Sequence, residues 1–252
     1  MNTPRRIKLI TPVPVPPAAV ALFEAQLPVA MRRPQTTVDF CFAREGGAFL
    51  DSYYDEVLAS AFILEAAETA EDEGYSAVCI NSMTDTGLDG VRSRLTIPVV
   101  GAGQSSFLLA CNIGASFSVV TLWDRWIPSY KKILQRHGLM GRVASIRHIN
   151  IHPNLEELLH GKEEVVFDAL EKAARAAIEQ DGAEVIVLGS TTMYQSHHYL
   201  AERLPVPVIN PALVVYQACE HLLDLSLSHS KLSYPAPEVL NDGLFKPVPG
   251  RF

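Results

Sequence analysis

One structural unit occurs twice in this chain, and the repeat limits the possible fold more than any other feature. The first copy is an apolar run from Ala77 to Asn81 that ends in a small-hydroxyl turn, Ser82, Met83 and Thr84. A helical segment follows, and the copy closes on Leu95 to Val100. The second copy runs from Val185 to Gly189, turns at Ser190, Thr191 and Thr192, and closes on Leu204 to Ile209. Ser82 precedes Pro98 by 16 positions, and Ser190 precedes Pro207 by 17. Apolar runs without polar alternation mark central parallel strands covered by helices on both faces. The repeat therefore predicts an α/β fold of two pseudo-symmetric lobes, each with a mostly parallel sheet flanked by helices. Ligands bind beyond the carboxyl ends of such strands, so the two serines are expected to face one another across a cleft between the lobes.

The rest of the chain fits this plan. Arg6 to Pro12 reads as a first strand, stopped by the prolines up to Pro17, which cannot donate ladder hydrogen bonds. Pro17 suits the first turn of a helix beginning near Ala18. Thr37 to Phe42 alternates as a strand. Asp51 is the expected N-cap of a long helix from Tyr53 to Glu73, stopped by Gly74. Further helices are expected over Thr86–Arg94, Gln104–Ile113, Trp123–His137, Glu163–Gln180 and Leu213–Leu225, with strands over Ser116–Thr121 and Arg142–Ile149. The expected lobes are residues 1–104 with 211–252, and residues 105–210. The proline-bearing tail from Ser226 to Phe252 is expected to wrap over the surface or join a subunit contact.

Composition removes several classes of function. A formal net charge of −7 argues against nucleic acid or an anionic membrane as partner. Cys41, Cys79, Cys111 and Cys219 have no ligand spacing, so no metal site is expected, and buried thiols in a reducing cytoplasm are. The two N-terminal arginines precede only a short, proline-broken apolar stretch, which is neither signal peptide nor membrane span. Gly101 to Gln104 is a glycine turn before a helix, but it lacks the nucleotide-binding glycine pattern and a P-loop lysine.

Five segments in order carry a resemblance: Ile80 to Arg92, with Asp85, Thr86, Gly87 and Leu88 inside it; Pro98 to Gly101; Phe117 to Thr121; Asp181 to Ser190; and Ser230, Lys231, Tyr234 and Pro235. Together they resemble the aspartate/glutamate racemase superfamily, hydantoin and allantoin racemase branch, over almost the whole chain. The resemblance implies a cofactor-independent racemase or isomerase, a homo-oligomer, acting on a small carboxylate or cyclic ureide such as a hydantoin. Such enzymes use two cysteines, one from each half: one takes the α-proton as thiolate, the other delivers a proton to the opposite face. Here both matching positions are serine, Ser82 and Ser190.

That departure is chemically large. A thiol titrates near ~8.5 and an alcohol is weaker by roughly 5 units, which at about 1.4 kcal/mol per unit makes the anion about 7 kcal/mol harder to form. A serine at these positions needs a partner base or a different role. Ser82 and Ser190 are the expected catalytic residues. Met83, Thr84, Thr191 and Thr192 are expected to bind substrate oxygens at helix N-termini. Asp85 either caps the following helix or bonds the substrate, Thr11 and Thr121 end strands on the same side as substrate-binding candidates, and His197, on the helix after Ser190, is a further substrate-binding candidate placed where a histidine could serve a serine as base. Three other readings accompany the racemase: a serine-dependent hydrolase or lyase, an inert Cys-to-Ser form of a racemase, and a non-catalytic small-molecule binding protein.

Overall fold

The computed structural model describes residues 4–47, 49–153 and 164–245. Met1 to Thr3, Glu163 and the tail beyond Phe245 lie outside them. Two four-stranded parallel sheets form the frame. Strands β1 (Arg5–Thr11), β2 (Thr36–Phe42), β3 (Ala77–Ile80) and β4 (Val99–Gly101) pair in the order β2-β1-β3-β4. Strands β5 (Phe117–Thr121), β6 (Val143–His148), β7 (Ile186–Leu188) and β8 (Val208–Ile209) pair in the order β6-β5-β7-β8. The second order is the first shifted by four strands, so β3 and β7 are equivalent. Both are buried along their whole length, as their unbroken apolar runs require.

The helices are α1 (Val20–Glu24), α2 (Tyr53–Ala67), α3 (Leu88–Arg94), α4 (Ala102–Ile113), α5 (Ile127–Arg136), α6 (Glu164–Glu179), α7 (Tyr194–Ala201) and α8 (Pro211–Asp224). The lobes share a core. Phe107 of α4 stacks on Phe117 of β5 with ring centroids 5.7 Å apart, and both are fully buried with Tyr130, Val187 and Tyr216. α8 follows the last strand of the second sheet but packs back on β3, β4 and α4. It brings the buried Glu220 to Arg5 of β1 at 2.8 Å, with Tyr216 Oη donating to the other carboxylate oxygen at 2.8 Å. A charge out of water needs such partners.

Two local expectations are corrected. Ser52, not Asp51, caps α2: its Oγ accepts from the Asp55 N–H at 3.2 Å, while Asp51 faces Arg125 at 3.5 Å. The helix also ends at Ala67 rather than Glu73. Beyond it the chain tightens into turns, with Ala70 N–H bonded to Ala67 O, and the acidic side chains leave for other partners. Glu73 pairs with Lys8 at 2.8 Å and Glu71 accepts from the Ile97 N–H at 2.9 Å. In the tail, Lys231 Nζ donates to the carbonyls of Arg92, Ser93 and Leu95 at 2.6, 3.0 and 2.5 Å. A cation there satisfies the orphan C-terminal carbonyls of α3. No helix among the described residues is long and apolar enough to cross a membrane.

Candidate active site

Ser82 and Ser190 leave the carboxyl ends of the equivalent strands β3 and β7, and their turns superpose in chemistry. Ser82 Oγ lies 2.8 Å from Thr84 Oγ1, and Ser190 Oγ lies 2.8 Å from Thr192 Oγ1. Each serine oxygen also accepts the backbone N–H two residues on, at 3.3 Å in the first turn and 3.2 Å in the second. Each serine carbonyl accepts from the residue three on, Asp85 N–H at 3.1 Å and Met193 N–H at 3.2 Å. These are serine turns closed by the side chain. Ser190 and Thr192 have two hydroxyl protons and share one bond. Ser82, Thr84 and Thr86 have three protons and share two bonds. The Ser190 turn keeps one hydroxyl proton to offer a ligand, and the Ser82 turn does so when Thr86 donates to Thr84 and Thr84 to Ser82.

Both turns line one cavity of about 200 Å³ between the lobes. Thr11, Met83, Thr84, Thr191 and Thr192 line it with the serines. Beneath the first turn, Asn81 Nδ2 donates to Gln26 Oε1 at 2.9 Å and reaches Thr11 Oγ1 at 3.5 Å. The other wall is apolar: Val13, Val15, Phe23, Phe49, Leu122 and Trp126. Among the described residues the lining holds no Asp, Glu, Lys, Arg or Cys.

Three expected site residues stand outside the lining. Asp85 turns away: its Oδ1 and Oδ2 accept from the Gly103 and Gln104 N–H groups at 2.8 and 2.7 Å, at the start of α4. It caps a helix, though α4 rather than the α3 that directly follows. The residue keeps some exposed surface, but its carboxylate is enclosed, and burial pushes its pKa up to about 7 against the two amides and Arg92. Thr121 is fully buried beneath the second turn, where its hydroxyl meets Tyr130 Oη at 3.1 Å. His197 faces β8, with Nε2 3.1 Å from Val208 O, and burial lowers its pKa.

Other lining residues escaped the sequence reading. Tyr130 of α5 donates to Gly189 O at 2.6 Å and so holds the strand end that carries Ser190. Burial pushes its phenol well above the usual range. His152 and its neighbours Ile151 and Pro153 line the cavity beyond β6. The rule that placed Thr11 and Thr121, that ligands meet the carboxyl ends of parallel strands, applies equally to β6 and points to this segment. Tyr130 has no such signal, because it lies mid-helix on an amphipathic face.

Comparison with known proteins places the chain among racemases. A family model described as Asp/Glu/Hydantoin racemase matches residues 16–219. The hydantoin racemase of Paenarthrobacter aurescens is 33% identical over 195 residues, which span 76% of this chain and 81% of that protein. The hydantoin racemase of Pseudomonas sp. (strain NS671) is 32% identical over 207 residues, 82% of each. Among solved structures, allantoin racemase from Klebsiella pneumoniae superposes with a TM-score of 0.85 at 26% identity, over 94% of this chain and 95% of that one.

Proposed function

Because the chain belongs to the Asp/Glu/hydantoin racemase family, we propose that it is a cofactor-independent racemase of cyclic ureides, hydantoins foremost. The observation that carries the choice of substrate is the lining: two serine turns and an apolar wall, with no Asp, Glu, Lys or Arg among its described residues. An amino dicarboxylate brings two carboxylates, and each is costly to bury without a cation. A hydantoin ring is neutral and carries carbonyl oxygens. The uncommitted hydroxyl proton of each turn is a donor for such an oxygen, and a donor placed where charge develops on it stabilises the enolate. Ser82 and Ser190 then act as hydrogen-bond donors beside the reacting carbon rather than as free bases, with Thr11, Met83, Thr84, Thr191 and Thr192 shaping the pocket.

We place the site between a lobe of residues 1–104 with 211–252 and a lobe of residues 105–210, in a cytoplasmic homo-oligomer. The exposed apolar side chains of Tyr54 and Val57 on α2, 72% and 70% accessible, support a subunit contact.

Polarimetry tests the function. Enantiopure 5-substituted hydantoins and allantoin are incubated with the chain, beside aspartate and glutamate. The expected result is decay of rotation with a ureide and none with the amino acids. Decay with an amino dicarboxylate alone overturns the choice of substrate, and decay with nothing overturns the activity.

A further inference from the structure

The cavity pairs two hydroxyls that are poor bases with one side chain that is a good one. Among its described lining residues, His152 is the only one with a titratable nitrogen. Its ring nitrogens are already distinguished. Nδ1 lies 2.7 Å from the carbonyl oxygen of Pro153. A carbonyl only accepts, so Nδ1 carries the hydrogen, and in the neutral imidazole Nε2 keeps its lone pair. No described residue bonds Nε2. The ring is also oriented: Trp123 lies with its centroid 4.4 Å away at 56°, and Phe49 meets it edge-on at 5.1 Å and 84°. Phe49 and Pro153 are themselves part of the lining. The other candidates fall away. Tyr130 Oη already donates to Gly189 O, and His197 is turned to Val208 outside the cavity.

We propose that His152 is the catalytic base of this site, accepting on Nε2 the proton of the ureide ring carbon that bears the substituent. The inference rests on the racemase reading above. In the step, the C–H bond breaks and the proton forms an N–H bond at Nε2. The electron pair moves into the adjacent carbonyl as an enolate, whose oxygen takes hydrogen bonds from a serine turn. The imidazolium keeps its Nδ1–H on Pro153 O. Exchange of the Nε2 proton with solvent, and return of a solvent proton to the carbon, restore the ring with no other reactant.

The test is loss of the ring α-proton of 5-benzylhydantoin in D2O, followed by proton NMR, with calorimetric binding of the same ligand on the same samples. His152→Gln keeps size and polarity and removes the base. Its kcat for exchange is expected to fall by roughly 100-fold or more, the scale of general-base catalysis, with binding retained. His152→Ala is expected to recover exchange when imidazole is added, which a merely structural role would not give. His198→Gln, on an exposed histidine whose side chain is 85% accessible, is expected to leave the rate unchanged. Exchange by His152→Gln at the parent rate, or no imidazole rescue of His152→Ala, overturns the base assignment and leaves the racemase reading standing. Binding without exchange in the parent chain overturns both.

Discussion

The Ser82 and Ser190 turns present the same face to the cavity and rest on different supports. In both, the serine oxygen sits 2.8 Å from the threonine hydroxyl two residues on. Behind Ser82 lies a carboxylate. Asp85 adopts φ 48°, a left-handed conformation costly for a residue with a Cβ, and fastens the turn to the N-terminus of α4. Behind Ser190 lies a phenol. Tyr130 ties Thr121 to Gly189 O without any charge. Each support demands a close glycine. A Cβ on Gly103 would run into Met83 O, and one on Gly189 would lie 2.5 Å from Thr121 Cβ and 3.0 Å from Tyr130 Oη. The repeat thus keeps the hydroxyls that line the cavity and lets the scaffolding diverge. It also makes one support sensitive to pH near neutrality where the other is not.

The largest expected effect breaks the neutral support. Gly189→Ala forces Thr121 and Tyr130 apart in a packed core and should cost about 3 kcal/mol, read from urea unfolding. Tolerance of the alanine within experimental error would show that the second turn is not held from below.

Asp85→Ala comes next. It orphans two amide donors at the start of α4 and should cost about 2 to 3 kcal/mol. The titration of Asp85 sharpens the contrast. Its folded pKa is raised to about 7, against about 3.9 in an unfolded chain. Between those values the folded state holds a proton that the unfolded state releases. The Asp85 contribution is therefore complete below about pH 4 and is lost as pH rises to about 7, with a slope approaching 1.4 kcal/mol per unit. The stability difference between the parent and Asp85→Asn should fall across that window and level off above it. A difference that is flat in pH would contradict the enclosed carboxylate. Tyr130→Phe, its counterpart in the other lobe, should cost about 1 to 2 kcal/mol with no pH dependence in the same range.

The smallest effect compares the threonines. Thr192→Val removes one hydroxyl bond, about 1 kcal/mol. Thr84→Val removes two, because Thr84 also meets Thr86 at 2.6 Å, and should cost more. Equal costs would mean that the Thr84–Thr86 bond contributes nothing.

The repeat that was legible in the sequence supplied the two parallel sheets, the equivalence of β3 and β7 and the placing of both serine turns on one cavity. Those features follow from apolar periodicity and from strand ends, which are local. The supports were not legible. Asp85 looks like a cap for the helix that follows it, and only the fold brings the N–H groups of Gly103 and Gln104 to its carboxylate. His197 follows Ser190 by seven positions, a spacing with no specific signature, and α7 turns it toward β8. His152 lies 38 positions before Ser190 in the chain. Nothing local connects them, and they come to line one cavity through the order of strands β6-β5-β7 in the sheet.

The central claim is that the two serines stand on opposite sides of one substrate carbon. Two single variants, Ser82→Cys and Ser190→Cys, test it most directly, each given separate enantiomers of 5-benzylhydantoin in D2O. A thiolate supplies the stronger proton acceptor on one side at a time. The account predicts that each variant accelerates α-proton loss from one enantiomer and that the two variants choose opposite enantiomers. The same enantiomer chosen by both, or no acceleration in either, would contradict it.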